Sequence, residues 1–345
     1  MKYNGLINSI KFSVPYNGDS EIVDFFIEHK NFINDVYFGL PYNILPSGRI
    51  MGFNEKPNNY LQNLHKTLNK LKENKIETSL VINRNCEGEK TFSTEMINEY
   101  KEIIKPFIRN KLINNVVLSN PIYYDELKKE FPNLTFSISV NTNINTLYKA
   151  KYIDGFGFDI IIIDREINHD KELIKEISKK VSAKIKILVN ECCLNECLFR
   201  TSHFNLLSHH KENIDYKERI PCVKIYSKEP WRMLKSSFIL PRDLYEYEKF
   251  VDIFKLAGRS LPTKILKYLL RLYFYREEEG DLLAILSSYG LFTWKNEFVK
   301  RNNKIPFLEM SKLPKDFKNF IANCNFNCKE CEYCKNIWNS CLTTY

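Results

Sequence analysis

Residues 158–193 read FDIIIIDREINHDKELIKEISKKVSAKIKILVNECC. The run Ile160 to Ile163 lies between two aspartates, is too short for a helix and has no polar side, which is the pattern of a strand buried on both faces. Residues 169–181 then place apolar side chains at helical spacing, and KIKILVN (184–190) returns to a strand pattern. A helix-length connection makes the two strands parallel, because antiparallel neighbours need only a tight turn. Both strands end in polar residues, Asp164 and Arg165 after the first and Asn190 to Cys193 after the second.

The same unit recurs along the chain. Further strand candidates are KFSVP (11–15), DVYFGLP (35–41), TSLVIN (78–83), NVVLSN (115–120), TFSISV (135–140) and DIFKLAGR (252–259), with amphipathic stretches at 58–74, 93–110, 122–130 and 143–152 between them. This alternation predicts an α/β fold, a closed (β/α)8 TIM-like barrel over residues 1–300, with a doubly wound open sheet as the competing architecture. Polar residues after the strands favour the barrel. Tyr16 and Asn17, Tyr42 and Asn43, Asn83 to Cys86, Asn120, Asn141, Asp164 and Arg165, Asn190 to Cys193, and Arg259 would share one rim, where barrel enzymes build their sites. No glycine-rich phosphate fingerprint follows a strand. About 60 residues separate the seventh strand from the eighth, a functional insertion at about 190–250. Residues 301–345 read as a linker, NNKIPFLEMSKLPKDF (302–317), into a small cysteine-rich metal-binding extension.

The chain of 345 residues, 44% hydrophobic and 14% aromatic, can bury a large core and is not a disordered sequence. Nothing in MKYNGLINSIKFSVPYNG (1–18) has the form of an export signal, and no apolar run reaches the roughly 18 residues that span a bilayer, so a soluble, cytoplasmic protein with no membrane partner is expected. Formal charge is +9, from 51 basic and 42 acidic residues, with lysines spread over helix faces such as LHKTLNKLKENKIE (64–77). That excess is compatible with RNA as a partner without requiring it.

Ten cysteines in a reducing compartment are not a disulfide framework. Cys86 stands alone, Cys192, Cys193, Cys197 and Cys222 form a middle group, and Cys324, Cys328, Cys331, Cys334 and Cys341 crowd the tail. In VNECCLNECLFRTSHFNLLSHH (189–210), a helical turn would put Cys193 and Cys197 on one face, roughly 5–6 Å apart at Cβ, suited to one metal centre. The plain alternative is a set of buried core cysteines. Spacing alone leaves both zinc and an iron-sulfur cluster open. Arg200 could clamp an anionic group or offset thiolate charge, His203 could move a proton or support the site, and Glu191 could line it. His209 and His210 read as surface residues. Arg259 should point into the barrel mouth, or pair with Asp164 or Glu191, and Lys255 could line the core.

NECCLNECLFRTSHF (190–204), the cysteine of IPCVKIY (220–226), and SSFILPRDLYEYEKFVDIFKLAGRSLPTKILKYLLRLY (236–273) together resemble the collagenase-like peptidases, peptidase family U thirty-two, over most of residues 75 to 280. The resemblance implies a (β/α)8 barrel. Some relatives look like iron-sulfur proteins that hydroxylate RNA bases or quinone precursors without oxygen. It implies a 4Fe-4S cluster at the barrel rim, with Cys193, Cys197 and Cys222 at the ligand positions. Relatives often have glycine where Cys192 stands, so the fourth ligand is left open between Cys192 and Cys86.

In CNFNCKECEYCKNIWNSC (324–341), Cys328, Cys331 and Cys334 have the C-x2-C-x2-C spacing with which ferredoxins grip a cluster, and Cys324 or Cys341 can complete the set. A second iron-sulfur cluster, or a zinc ion, is expected there. Cys324, Cys328 and Cys331 also match the C-x3-C-x2-C triad of radical S-adenosylmethionine enzymes, but those carry it after the first strand, and here it follows all eight. The resulting expectation is a barrel enzyme catalysing an oxygen-independent modification, such as hydroxylation, of an RNA base, peptide or small aromatic substrate, with a redox partner or paralogous subunit. The alternatives are a metal-dependent peptidase, although no HExxH helix or G-x-S-x-G elbow occurs, and a non-catalytic electron-transfer or assembly subunit.

Overall fold

Strands β1 (Phe12–Pro15), β2 (Ile33–Phe38), β3 (Glu77–Ile82), β4 (Asn115–Leu118), β5 (Thr135–Ile138), β6 (Ile160–Ile162), β7 (Lys184–Leu188) and β8 (Ile253–Lys255) run parallel in sequence order, and β8 pairs with β1 to close the barrel. The computed structural model describes residues 10–41, 44–45, 57–209, 220–286 and 289–345. Tyr42, Asn43 and His210 lie outside the described residues. All eight strands overlap the segments that the alternation of patterns predicts, β2 starting two residues and β3 one residue earlier.

The outer helices are α1 (Ile22–Glu28), α2 (Pro57–Glu73), α3 (Thr94–Arg109), α4 (Tyr124–Glu130), α5 (Leu147–Asp154) and α6 (Lys171–Lys180). The insertion between β7 and β8 holds α7 (Arg200–His209), α8 (Pro221–Lys228) and two 3-10 segments, Pro230–Lys235 and Pro241–Glu246. Next come α9 (Thr263–Phe274), α10 (Leu282–Ile285) and α11 (Tyr289–Asn302). Among the described residues no helix is long and apolar enough to cross a membrane.

Alternation along each strand fills the barrel in layers. The lower layer is polar. Asp35 on β2 lies 3.2 Å from Lys186 Nζ on β7 and accepts from the hydroxyls of Ser79 at 2.7 Å and Ser13 at 3.0 Å. Asn115 extends this network by donating to Ser79 Oγ and accepting from Ser137 Oγ, each at 3.0 Å. Burial pushes the Asp35 carboxyl up, but Lys186 and the hydrogen bonds outweigh it and leave it below its ordinary value. Above it Tyr37, Val81, Val117, Val140, Ile162 and Leu188 form an apolar layer, so the rim side chains stand on a closed floor.

Residues 302–317, which the sequence reads as a linker, and the cysteine-rich extension after them both pack against the body. Strand β9 (Pro306–Leu308) pairs antiparallel with β10 (Leu342–Thr344), and α12 (Phe317–Ala322) and α13 (Tyr333–Cys341) bury Phe317, Ile321 and Trp338 in the same core as the barrel. Trp338 meets Trp294 of α11 edge-on at 5.3 Å, and Lys318 reaches Asp243 of the insertion at 3.5 Å. Single-sequence patterning missed this because the segment's apolar residues are spaced irregularly.

Candidate metal centre at the barrel mouth

The residues that hold the middle cysteines come largely from the end of β6. Asp164 caps the turn Arg165–Ile167 by accepting the Glu166 N–H at 3.2 Å. Arg165, fully buried, then reaches Glu191 Oε2 at 3.3 Å through Nη1 and donates to Asn141 Oδ1 at 3.3 Å through Nη2. Its guanidinium also lies 5.4 Å from the ring centre of Phe204 on α7. Glu166 accepts the Glu196 N–H at 2.6 Å and pairs with Arg200, whose Nη2 donates to the Leu194 carbonyl at 2.9 Å. The loop from Glu191 to Phe199 is thus clamped from both sides.

Cys193 and Cys197 do not share a helical turn. They lie in that irregular loop, in which Glu196 has φ 46°, and α7 begins only at Arg200. The clamp by Glu166 and Arg200 sets the loop conformation, and helical spacing does not apply.

The fold nevertheless places four thiols within electrostatic reach of one buried tyrosine. Tyr226 on α8 is buried with no hydrogen-bond partner for its hydroxyl among the described residues, and burial, with Cys192, Cys193, Cys222 and Cys197 as further causes, pushes its phenol well above the ordinary value. Those thiols therefore all lie within electrostatic reach of one hydroxyl. Burial, then Cys197, pushes the Cys222 thiol up to about 11. Cys193 Sγ lies 3.5 Å from Glu191 Oε1, so Glu191 joins the thiol to Arg165. Burial lowers the Arg200 pKa, but Cys193, Glu166 and Asp164 outweigh it, and the guanidinium ends above its ordinary value. Four thiols match a thiolate-ligated centre in donor kind and number. Among the described residues, however, no three His, Cys, Asp or Glu side chains stand at the separations that one bound ion requires.

Cys86 occupies the loop after β3, where its sulfur accepts the Gly88 N–H at 3.4 Å and the adjacent Asn85 N–H donates to Ser208 Oγ of α7 at 2.8 Å. His203 is half-buried on α7 beside Phe204, and His209 is exposed. Arg259, four residues beyond β8, and Lys255 are buried over the Tyr37 ring at 6.0 and 4.2 Å.

The sequence profile of peptidase family U32 matches residues 22–213, more than half of the chain. The chain belongs to peptidase family U32. An uncharacterized protease of Methanocaldococcus jannaschii, MJ1657, is 30% identical over 342 residues, 94% of this chain and 97% of that protein. Among solved structures, the U32 peptidase Mk0906 superposes with a TM-score of 0.54 at 15% identity, covering 75% of this chain and 96% of its own, a likeness of fold.

This U32 chain has a second cysteine group in its tail. Cys324, Cys328, Cys331 and Cys334 line one small open cavity. Cys341, the other candidate for the set, is fully buried in the core beside Ser340. Burial, then Cys324, pushes the Cys334 thiol up to about 12.

Sequence reading did not single out Tyr226, Glu166 or Lys235. Tyr226 had a signal, since it lies one helical turn after Cys222 in a short amphipathic helix. Lys235 had none, because only the fold brings it to Cys328.

Proposed function

We propose that this U32 chain is an iron-sulfur barrel enzyme that modifies an RNA base, a peptide or a small aromatic substrate without oxygen, hydroxylation being the reaction that its resemblance to iron-sulfur members of the family implies. Cys192, Cys193, Cys197 and Cys222 would hold the cluster, which supplies one-electron chemistry or an open iron as a Lewis acid when bound. One observation carries the reading: Cys192, Cys193 and Cys197 follow the C-terminal end of β7, on the rim where barrel enzymes act, and Cys222 stands one helical turn before Tyr226, whose buried hydroxyl lies within electrostatic reach of all four thiols. Arg165 and Arg200 offset the negative charge of such a donor set, and Glu191 is within reach of the Cys193 thiol proton. His203 is the candidate for moving a proton to or from substrate, and Arg259 for orienting an anionic group. The family name and the name of the relative MJ1657, an uncharacterized protease, favour proteolysis as a second reading.

Complementation of a deletion strain separates these readings. Mass spectrometry of RNA, quinone precursors and peptides should show a modification restored by the wild-type gene and not by Cys193→Ser or Cys197→Ser. Cleavage of protein substrates by purified chain, with no modification restored, would decide for the peptidase.

A further inference from the structure

We propose that Cys324, Cys328, Cys331 and Cys334 form a second, independent centre for a thiophilic metal, a zinc ion or an iron-sulfur cluster, and that the barrel insertion supplies its wall and its counter-charge through Lys235. The cavity is not a property of the tail alone. Trp231, Arg232 and Lys235, from the 3-10 segment Pro230–Lys235, line it together with the four cysteines. Lys235 Nζ donates to Cys328 Sγ at 2.9 Å and lies 4.5 Å from the ring centre of Phe326. Lys335 of α13 in turn lies 6.0 Å from the Trp231 ring centre.

The chemistry of the lining selects the ligand. It contains four sulfurs and two cations, and no carboxylate among the described residues. Magnesium or calcium would find no hard oxygen anions here, whereas zinc and iron-sulfur clusters prefer thiolates. Four thiolates carry more negative charge than either centre neutralises, and a lysine at hydrogen-bond distance from one sulfur offsets part of the excess. Because the thiols do not stand at ion-binding separations as placed, loading must draw the loop 324–331 inward. Each ligating thiol then exchanges its S–H bond for an S–metal bond and gives its proton to solvent. The loop can move in this way because it is irregular and Cys331 is exposed, while α12 and α13 hold its ends in the core.

The test counts metal in the full chain after two separate treatments, zinc alone or anaerobic iron with sulfide. Wild type is compared with Cys328→Ser/Cys331→Ser and with Cys193→Ser/Cys197→Ser. The tail variant should lose one zinc, or about four irons and four sulfides, relative to wild type, and the rim variant should keep that amount. Subtraction by the tail variant stands even where the rim variant fails to fold, and failure of the rim centre leaves the tail count unchanged. Lys235→Met should speed metal loss to a chelator by about 10-fold or more, and Lys235→Arg should restore retention. Equal metal in wild type and the tail variant under both treatments overturns the centre. Unchanged retention in Lys235→Met overturns the part assigned to the lysine.

Discussion

Arg165 and Glu191 stand 3.3 Å apart, both buried, and join the end of β6 to the end of β7 at the barrel mouth. Through Glu191 the pair reaches Cys193, and through Asn141 it reaches the Asn83 carbonyl beyond β3. One arginine thereby sets the positions of three loops. Arg165→Met should take one buried counter-charge from Glu191 and cost about 3–5 kcal/mol. Urea unfolding of the single variant and of Arg165→Met/Glu191→Gln provides the check, with the double variant expected to recover part of the loss. Equal stability of wild type and the single variant would contradict the clamp.

Asp35 and Lys186 form another buried pair, inside the barrel. The Asp35 carboxyl is held below its unfolded value of about 3.9. Its contribution to stability is therefore complete above that pH and is lost as pH falls through the lower folded value. Asp35→Asn should destabilise by about 3–5 kcal/mol at pH 7, because Lys186 loses its counter-charge, and should flatten stability against pH in the acid range. Denaturant titrations from pH 3 to 7 measure both effects.

His169 gives a signal at milder pH. Burial pushes its imidazole below the ordinary value, more strongly than its contact with the Ser236 carbonyl raises it. As pH falls, the unfolded chain therefore takes up this proton first, near pH 6.5, and folding stability declines below that point. His169→Gln should remove that decline. A stability curve of identical slope from pH 7 to 5 in both proteins would rule it out.

The barrel was legible because each strand is a short apolar run ended by polar residues, and FDIIIIDREIN shows both halves of that pattern. The middle cysteines were legible as a group, but their geometry was not. Their loop conformation depends on Glu166 and Arg200, which no local pattern connects to them. The packed tail was likewise hidden, since Trp338 and Phe317 find their partners only across the fold.

For the acid-base group, His203→Ala should retain metal at both cysteine groups, because the donor sets are thiols. It should lower turnover by about 100-fold or more if the imidazole moves the proton. Metal analysis beside rate measurement separates the two effects, and full activity would reduce His203 to a structural residue.

The rim set itself is tested most directly by iron and acid-labile sulfide in anaerobically prepared Cys328→Ser/Cys331→Ser protein, in which the tail is silent. That protein should hold about four irons and four sulfides per chain. The same content should persist in an added Cys86→Ser and be lost in an added Cys192→Ser. Stoichiometric zinc without sulfide, or iron retained in the Cys192→Ser form and lost in the Cys86→Ser form, would contradict a cluster held by Cys192, Cys193, Cys197 and Cys222.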